Sequence, residues 1–192
     1  MAKRRERIED IGSLYQIHSA GQQAFKLGFA INTRTRLAIL QTGNPDKLAL
    51  RDEVSCSLEA EKLLHRMLRP LRIAREWYPE SVFFDSLMGD FWECLDDKVE
   101  DFCDAHPGIG DEAVEAFEAE AYLTEADIRA IVPYALREWV FGCEDEEEPP
   151  PEEDDLEKRV LEIMTSMIPV KDRMRIPAPA ELAPIGFQGE RN

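Results

Sequence analysis

Cysteine is scarce and scattered. Cys56, Cys94, Cys103 and Cys143 are the only four in 192 residues, and no two form a Cys-x-x-Cys pair. That spacing supports neither a zinc site nor a disulfide framework; it reads as reduced thiols in a cytosolic protein. Long apolar runs are missing too, for none approaches the ~20 residues that a membrane span needs. The opening MAKRRERIEDIG is basic but has no apolar stretch behind it, which is not the pattern of a secretory signal. The expected location is therefore the cytoplasm, with no membrane partner. Repeats, a Gly-rich nucleotide loop, a Ser/His/Asp arrangement and zinc-ligand spacing are also absent.

What is present can fill a core: the chain is 44% hydrophobic and 8% aromatic. Its formal net charge is −17, and the charge is unevenly spread. Residues 1–80 hold 14 Lys and Arg against 10 Asp and Glu, whereas residues 81–192 hold 9 against 30. The first half suits a polyanion, and the second repels one.

The chain divides into five stretches. Residues 1–11 are a basic leader, whose Lys3, Arg4, Arg5 and Arg7 either touch phosphates or form a solvated end. Residues 12–80 read as a small α/β module. Residues 81–143 are an acidic helical extension, 144–155 an acidic, proline-rich linker, and 156–192 an amphipathic helix with an extended tail. The expected class is α+β: a three-stranded, mainly antiparallel sheet flanked by helices, then an all-helical extension.

Within the module, residues 13–18 and 24–30 alternate and flank Ser-Ala-Gly-Gln-Gln, a hairpin signal. Phe25, Leu27 and Phe29 share one face of the second strand, and Lys26, Gly28 and Ala30 share the other. A lysine beside a glycine on one strand face leaves room for something to approach the backbone. Asn32 caps a helix that runs to about Gln41 and stops at Gly43. Arg34 and Arg36 on it point about 200° apart, so only one faces the hairpin. Residues 48–56 read as a third strand. Ser57 caps a second helix with Ala60, Leu63, Leu64, Met67 and Leu68 as its apolar stripe. Glu61 and His65 lie one turn apart on the flank of that stripe, and Arg69-Pro70 ends the helix. Residues 76–78 form a short closing strand or an extended segment.

Beyond residue 80, apolar positions from Phe83 to Cys103 recur at helical spacing, with Gly89 as a candidate break. Asp111 caps the next helix. Thr124 opens another, with Pro133 as a candidate kink. These helices either pack onto the module or form their own subdomain. They are a scaffold with acids facing water, or else an acidic surface that contacts a protein partner or restrains a DNA-binding cleft.

Taken singly, the polar residues have plain readings. Tyr15 is a half-buried packing residue, Lys26 a solvated strand residue, and Arg36 a surface residue paired with an acid. Glu61 and His65 are an i,i+4 pair, and Glu76 ties down an aromatic edge. Jointly they form a pattern. Ser13-Leu14-Tyr15, then Lys26-Leu27-Gly28, then Arg36, LQTGNP at 40–45, Glu61-Lys62-Leu63-Leu64-His65 and Arg75-Glu76-Trp77-Tyr78 follow one another in order. This run resembles the GIY-YIG nuclease superfamily, most closely its phage-associated branch with a Lys-Ile-Gly second motif. Lysine at 26 stands where other branches have tyrosine. Ser13 and Arg75 stand where the family has glycine, and its closing asparagine has no match.

The resemblance implies an endonuclease that hydrolyses DNA phosphodiester bonds in a bacterial or phage-infected cell. Tyr15 would help activate water, Arg36 steady the phosphate, and Glu61 hold one divalent metal, Mg2+ or Mn2+. Lys26 completes the catalytic set, with His65, Glu76 and Arg34 as accessories. A free tyrosine has a pKa of ~10, so Tyr15 needs a neighbouring cation, and Lys26 across the hairpin is the candidate. The competing expectation is a non-catalytic module of the same type that binds nucleic acid or protein. In the catalytic case Tyr15, Lys26, Arg36 and Glu61 open onto one solvent-reachable groove.

Overall fold

The hairpin, the capped helices and the third strand all form. The computed structural model describes residues 11–141. The rest of the basic leader, Cys143, the acidic linker and the expected C-terminal helix lie outside the described residues.

Strands β1 (Ile11–Ser19) and β2 (Ala24–Ala30) pair antiparallel, with Tyr15 opposite Gly28 and Ile17 opposite Lys26. Helix α1 (Thr33–Gln41) starts where expected, because the Asn32 side chain accepts from the Thr35 N–H at 2.8 Å. Strand β3 (Leu48–Ser57) pairs antiparallel with the other edge of β1. Ser57 then caps α2 (Leu58–Met67) through the Ala60 N–H at 3.2 Å. A single 3-10 turn, Arg69–Leu71, follows.

The LQTGNP motif acts as a clamp. The Gln41 side-chain amide donates to the carbonyls of Asn44 and Asp46 at 3.1 and 2.9 Å and accepts from the Leu48 N–H at 2.8 Å. One side chain thus satisfies three backbone groups of the turn that carries the chain from α1 into β3.

The sheet has four strands, not three. Strand β4 (Trp77–Pro79) pairs antiparallel with β2, giving the order β3-β1-β2-β4. Only three residues long, it takes up the backbone groups of the open β2 edge. On the far side, Leu123 bonds to β3: its N–H donates to the Ser55 carbonyl at 2.9 Å, and its carbonyl accepts from the Ser57 N–H at 3.0 Å. Both flanks of the sheet thereby gain backbone partners.

Three helices complete the described fold: α3 (Val82–Ala105), α4 (Asp111–Glu120) and α5 (Glu125–Phe141). Gly89 does not break α3. A helical glycine costs roughly 0.5–1 kcal/mol, whereas Phe84, Leu87, Met88 and Phe91 around it are all buried. Pro133 stands inside α5. It lies exposed, as does Arg129 one turn earlier, so water can reach the carbonyl that loses its partner. The cap of α4 is Gly110 rather than Asp111, which begins the helix itself. Among the described residues no helix is long and apolar enough to cross a membrane.

The main core is continuous from the module into these helices. Leu14, Phe25, Leu27, Val54 and Tyr78 from the sheet meet Leu63, Leu64, Phe83, Phe84, Phe91, Leu123, Ile128 and Val132. The opposite face is smaller. Tyr15, Ile17 and Leu48 are buried there against Leu37 and Leu40 of α1, with Leu50 and Trp77 beside them.

Candidate active site

On that smaller face, Gly28 lies under the Tyr15 ring. A Cβ at 28 would stand 2.6 Å from the Tyr15 hydroxyl and 2.8 Å from Cζ, so only glycine lets the phenol lie across β2. The hydroxyl accepts a hydrogen bond from Arg36 Nε at 3.3 Å. The Asn32 cap sets where α1 begins, and hence which turn brings Arg36 over the sheet.

Lys26 lies on the same strand face and is buried, 6% exposed. Its ammonium pairs with the Glu76 carboxylate. Glu76 sits in a tight turn, in which the Trp77 N–H donates to the Ala74 carbonyl at 2.9 Å. Arg75 in that turn has φ 51, the left-handed region. Glycine adopts that conformation without steric cost.

The third contribution comes from α2. Glu61 Oε1 and His65 Nε2 stand 3.0 Å apart, one turn along the helix. His65 Nδ1 lies 2.8 Å from the Tyr78 hydroxyl, and the two rings stack at an interplanar angle of 9°. His65 Nε2 is buried and makes no hydrogen bond, although Glu61 is so near. Donor atoms of Glu61, His65 and Glu76 all lie within 4.8 Å of one another. Glu76 therefore bridges the Lys26 side of the site and the α2 side.

Burial is the largest influence on Tyr15 and pushes its phenol above the ordinary range. Arg36 pulls it back through its hydrogen bond and charge, while Glu76 and Glu61 push it further up. The expectation that Lys26 lowers Tyr15 is thus corrected: Lys26 is spent on Glu76, and Arg36 is the cation on the phenol. The same contact raises Arg36 further, chiefly through its hydrogen bond to Tyr15. Burial lifts Glu76, but the hydrogen bond and charge of Lys26, with His65 and Arg36, outweigh it and leave the carboxyl below its ordinary value. Burial holds the Tyr78 phenol well above its usual range, so it remains neutral beside His65. Burial likewise pushes the nearby Cys56 thiol up to about 12, with Glu61 adding to the rise, so this thiol stays protonated.

The fold brings together Tyr15, Lys26, Arg36, Glu61, His65 and Glu76. It leaves Arg34 out, exposed on the other side of α1. The expected open groove exists only in part. Tyr15 is 1% exposed and Glu61 8%, whereas the Glu76 side chain is 41% exposed and forms the accessible edge. Sequence reasoning missed Tyr78 as the partner of His65. No spacing links positions 65 and 78; only the pairing of β4 with β2 does so.

Compared with protein-family models, curated proteins and solved structures, the chain matches none.

Proposed function

We propose that the protein is a divalent-metal-dependent endonuclease that hydrolyses DNA phosphodiester bonds. The observation that carries this reading is the meeting of two carboxylates, an imidazole, a guanidinium, an ammonium and a phenol, drawn from β1, β2, α1, α2 and the turn before β4. The donor set fits a dication: Glu61 supplies a buried carboxylate, and beside it His65 Nε2 is a buried nitrogen without a hydrogen bond.

Glu61 would hold the ion. When bound, a divalent ion supplies a water acidic enough to lose its proton near neutral pH, and positive charge at the phosphorane. The side chains do the rest. Arg36 gives Nε to Tyr15, and its guanidinium fork matches the oxygens of a phosphate. Tyr15, kept neutral by burial, orients that guanidinium and can donate its own proton. Lys26 neutralises Glu76 and so limits the repulsion that this carboxylate would exert on a polyanion. The net positive charge of residues 1–80 suits DNA, and the acidic helices favour a protein contact or restraint of the cleft.

A second reading follows from the burial of Tyr15. With its phenol closed off, the same module can bind nucleic acid without cutting it. Plasmid DNA incubated with Mg2+ or Mn2+ distinguishes the two. Cleavage by wild type that falls to background in Glu61→Gln supports the hydrolase. Binding at low salt without cleavage supports the second reading; salt must be low because phosphate contacts weaken steeply with added ions. Neither binding nor cleavage sinks both.

A further inference from the structure

The closeness of Glu61 and His65 needs a physical cause. A buried imidazole nitrogen and a carboxylate oxygen 3.0 Å apart need positive charge between them, either a proton on the nitrogen or a metal ion. Two ligands at adjacent corners of an octahedron stand about 3.0 Å apart when the metal–ligand bonds are about 2.1 Å. The observed separation suits that spacing as well as it suits an N–H···O ion pair. One helical turn sets it, because residues four apart share a face.

We propose that Glu61, His65 and Glu76 form a three-ligand site that takes a first-row transition-metal dication such as Mn2+ in preference to Mg2+. This rests on the divalent-metal reading above, but not on hydrolysis. Four features carry it. Imidazole is a good ligand for transition metals, whereas Mg2+ favours oxygen and keeps much of its water shell. Tyr78 fixes the ring: with the proton on Nδ1 directed to its hydroxyl at 2.8 Å, the Nε2 lone pair faces Glu61, the arrangement found behind metal-bound histidines. Glu76 completes the set from within 4.8 Å. Its side chain is 41% exposed, so an ion can reach it from solvent. Lys26 holds Glu76 Oε2, and a carboxylate has a second oxygen to offer an ion. The plain alternative is a protonated His65 ion-paired with Glu61, which would bind no metal at the imidazole.

The test uses the full chain and Mn2+ itself. Calorimetric titration is expected to show Mn2+ binding tighter than Mg2+. Mn2+ affinity should fall roughly tenfold or more in His65→Ala and in Glu76→Gln, while Mg2+ affinity in His65→Ala changes little. Pulsed electron paramagnetic resonance of the Mn2+-loaded wild type is expected to show coupling to a histidine nitrogen. This readout needs no variant to fold. Absence of that coupling, or equal affinities for the two ions, overturns the proposal. The outcomes also separate it from the hydrolase reading. Nitrogen-coupled Mn2+ without DNA cleavage keeps the site and sinks the nuclease. Mg2+-supported cleavage that survives in His65→Ala, with no nitrogen coupling, keeps the nuclease and sinks the site.

Discussion

The two faces of the sheet are held by different physics. The face toward α2, α3 and α5 is hydrocarbon: Phe25, Leu27, Tyr78, Phe83, Phe84 and Phe91 are buried in one cluster, with Phe25 and Phe84 edge to face at 4.4 Å between centroids. Its stability grows with apolar area removed from water. The face toward α1 buries far less hydrocarbon and instead holds a phenol on a guanidinium and an ammonium on a carboxylate. Buried polar groups stabilise little unless each is satisfied. The first face makes the protein stable, and the second, joined through Glu76 to Glu61 and His65 of α2, is free to be chemically specific.

Core loss should have the largest effect. Phe84→Ala is expected to destabilise by about 3–5 kcal/mol in urea unfolding; a loss below ~1 kcal/mol would break the contrast between the faces. Gly28→Ala comes next. Its methyl would collide with a phenol already closed in, at a cost of about 1–3 kcal/mol. A shift in Tyr15 absorbance should accompany it, and an unperturbed Tyr15 would refute the glycine argument.

Asp127 tests the helices beyond the module. Burial lifts its carboxyl, but Lys98, at 2.5 Å, and Thr124 outweigh that and leave it below the ordinary 3.8. A depressed carboxyl stabilises above its ordinary value and loses that contribution as pH falls toward the lower, folded one. Asp127→Asn should therefore be less stable by up to about 1 kcal/mol at neutral pH, through loss of the partly exposed ion pair with Lys98. The gap should narrow below pH 3.8, as melting curves across the acid range would show. A gap independent of pH would remove the ionised carboxylate from the explanation. The smallest effect should be a gain. Arg75→Gly relieves a left-handed residue and is expected to stabilise by up to about 1 kcal/mol in the same melts. Destabilisation there would mean that the Arg75 side chain matters more than its backbone.

Much of the fold was legible. The Asn32 and Ser57 caps, the hairpin and the apolar stripe of α2 rest on interactions within a few residues, so the local pattern reveals them. The fourth strand was legible only as a choice, because three residues hold too little periodicity to separate a strand from an extended segment. Gly89 misled for the converse reason: its local helix-breaking cost was outweighed by the packing of its neighbours against distant residues.

At the site, the resemblance carried by the order of the motifs singled out Tyr15, Lys26, Arg36, Glu61, His65 and Glu76 as candidates, and helix geometry required that Arg34 and Arg36 diverge. Which cation meets the phenol, which carboxylate meets the ammonium, and how deeply each is buried were decided by tertiary structure. Those pairings join residues up to 50 positions apart. Charge acts through space rather than along the chain, so no spacing rule encodes the exchange of Lys26 for Arg36 at Tyr15, or the union of Glu76 with the α2 pair.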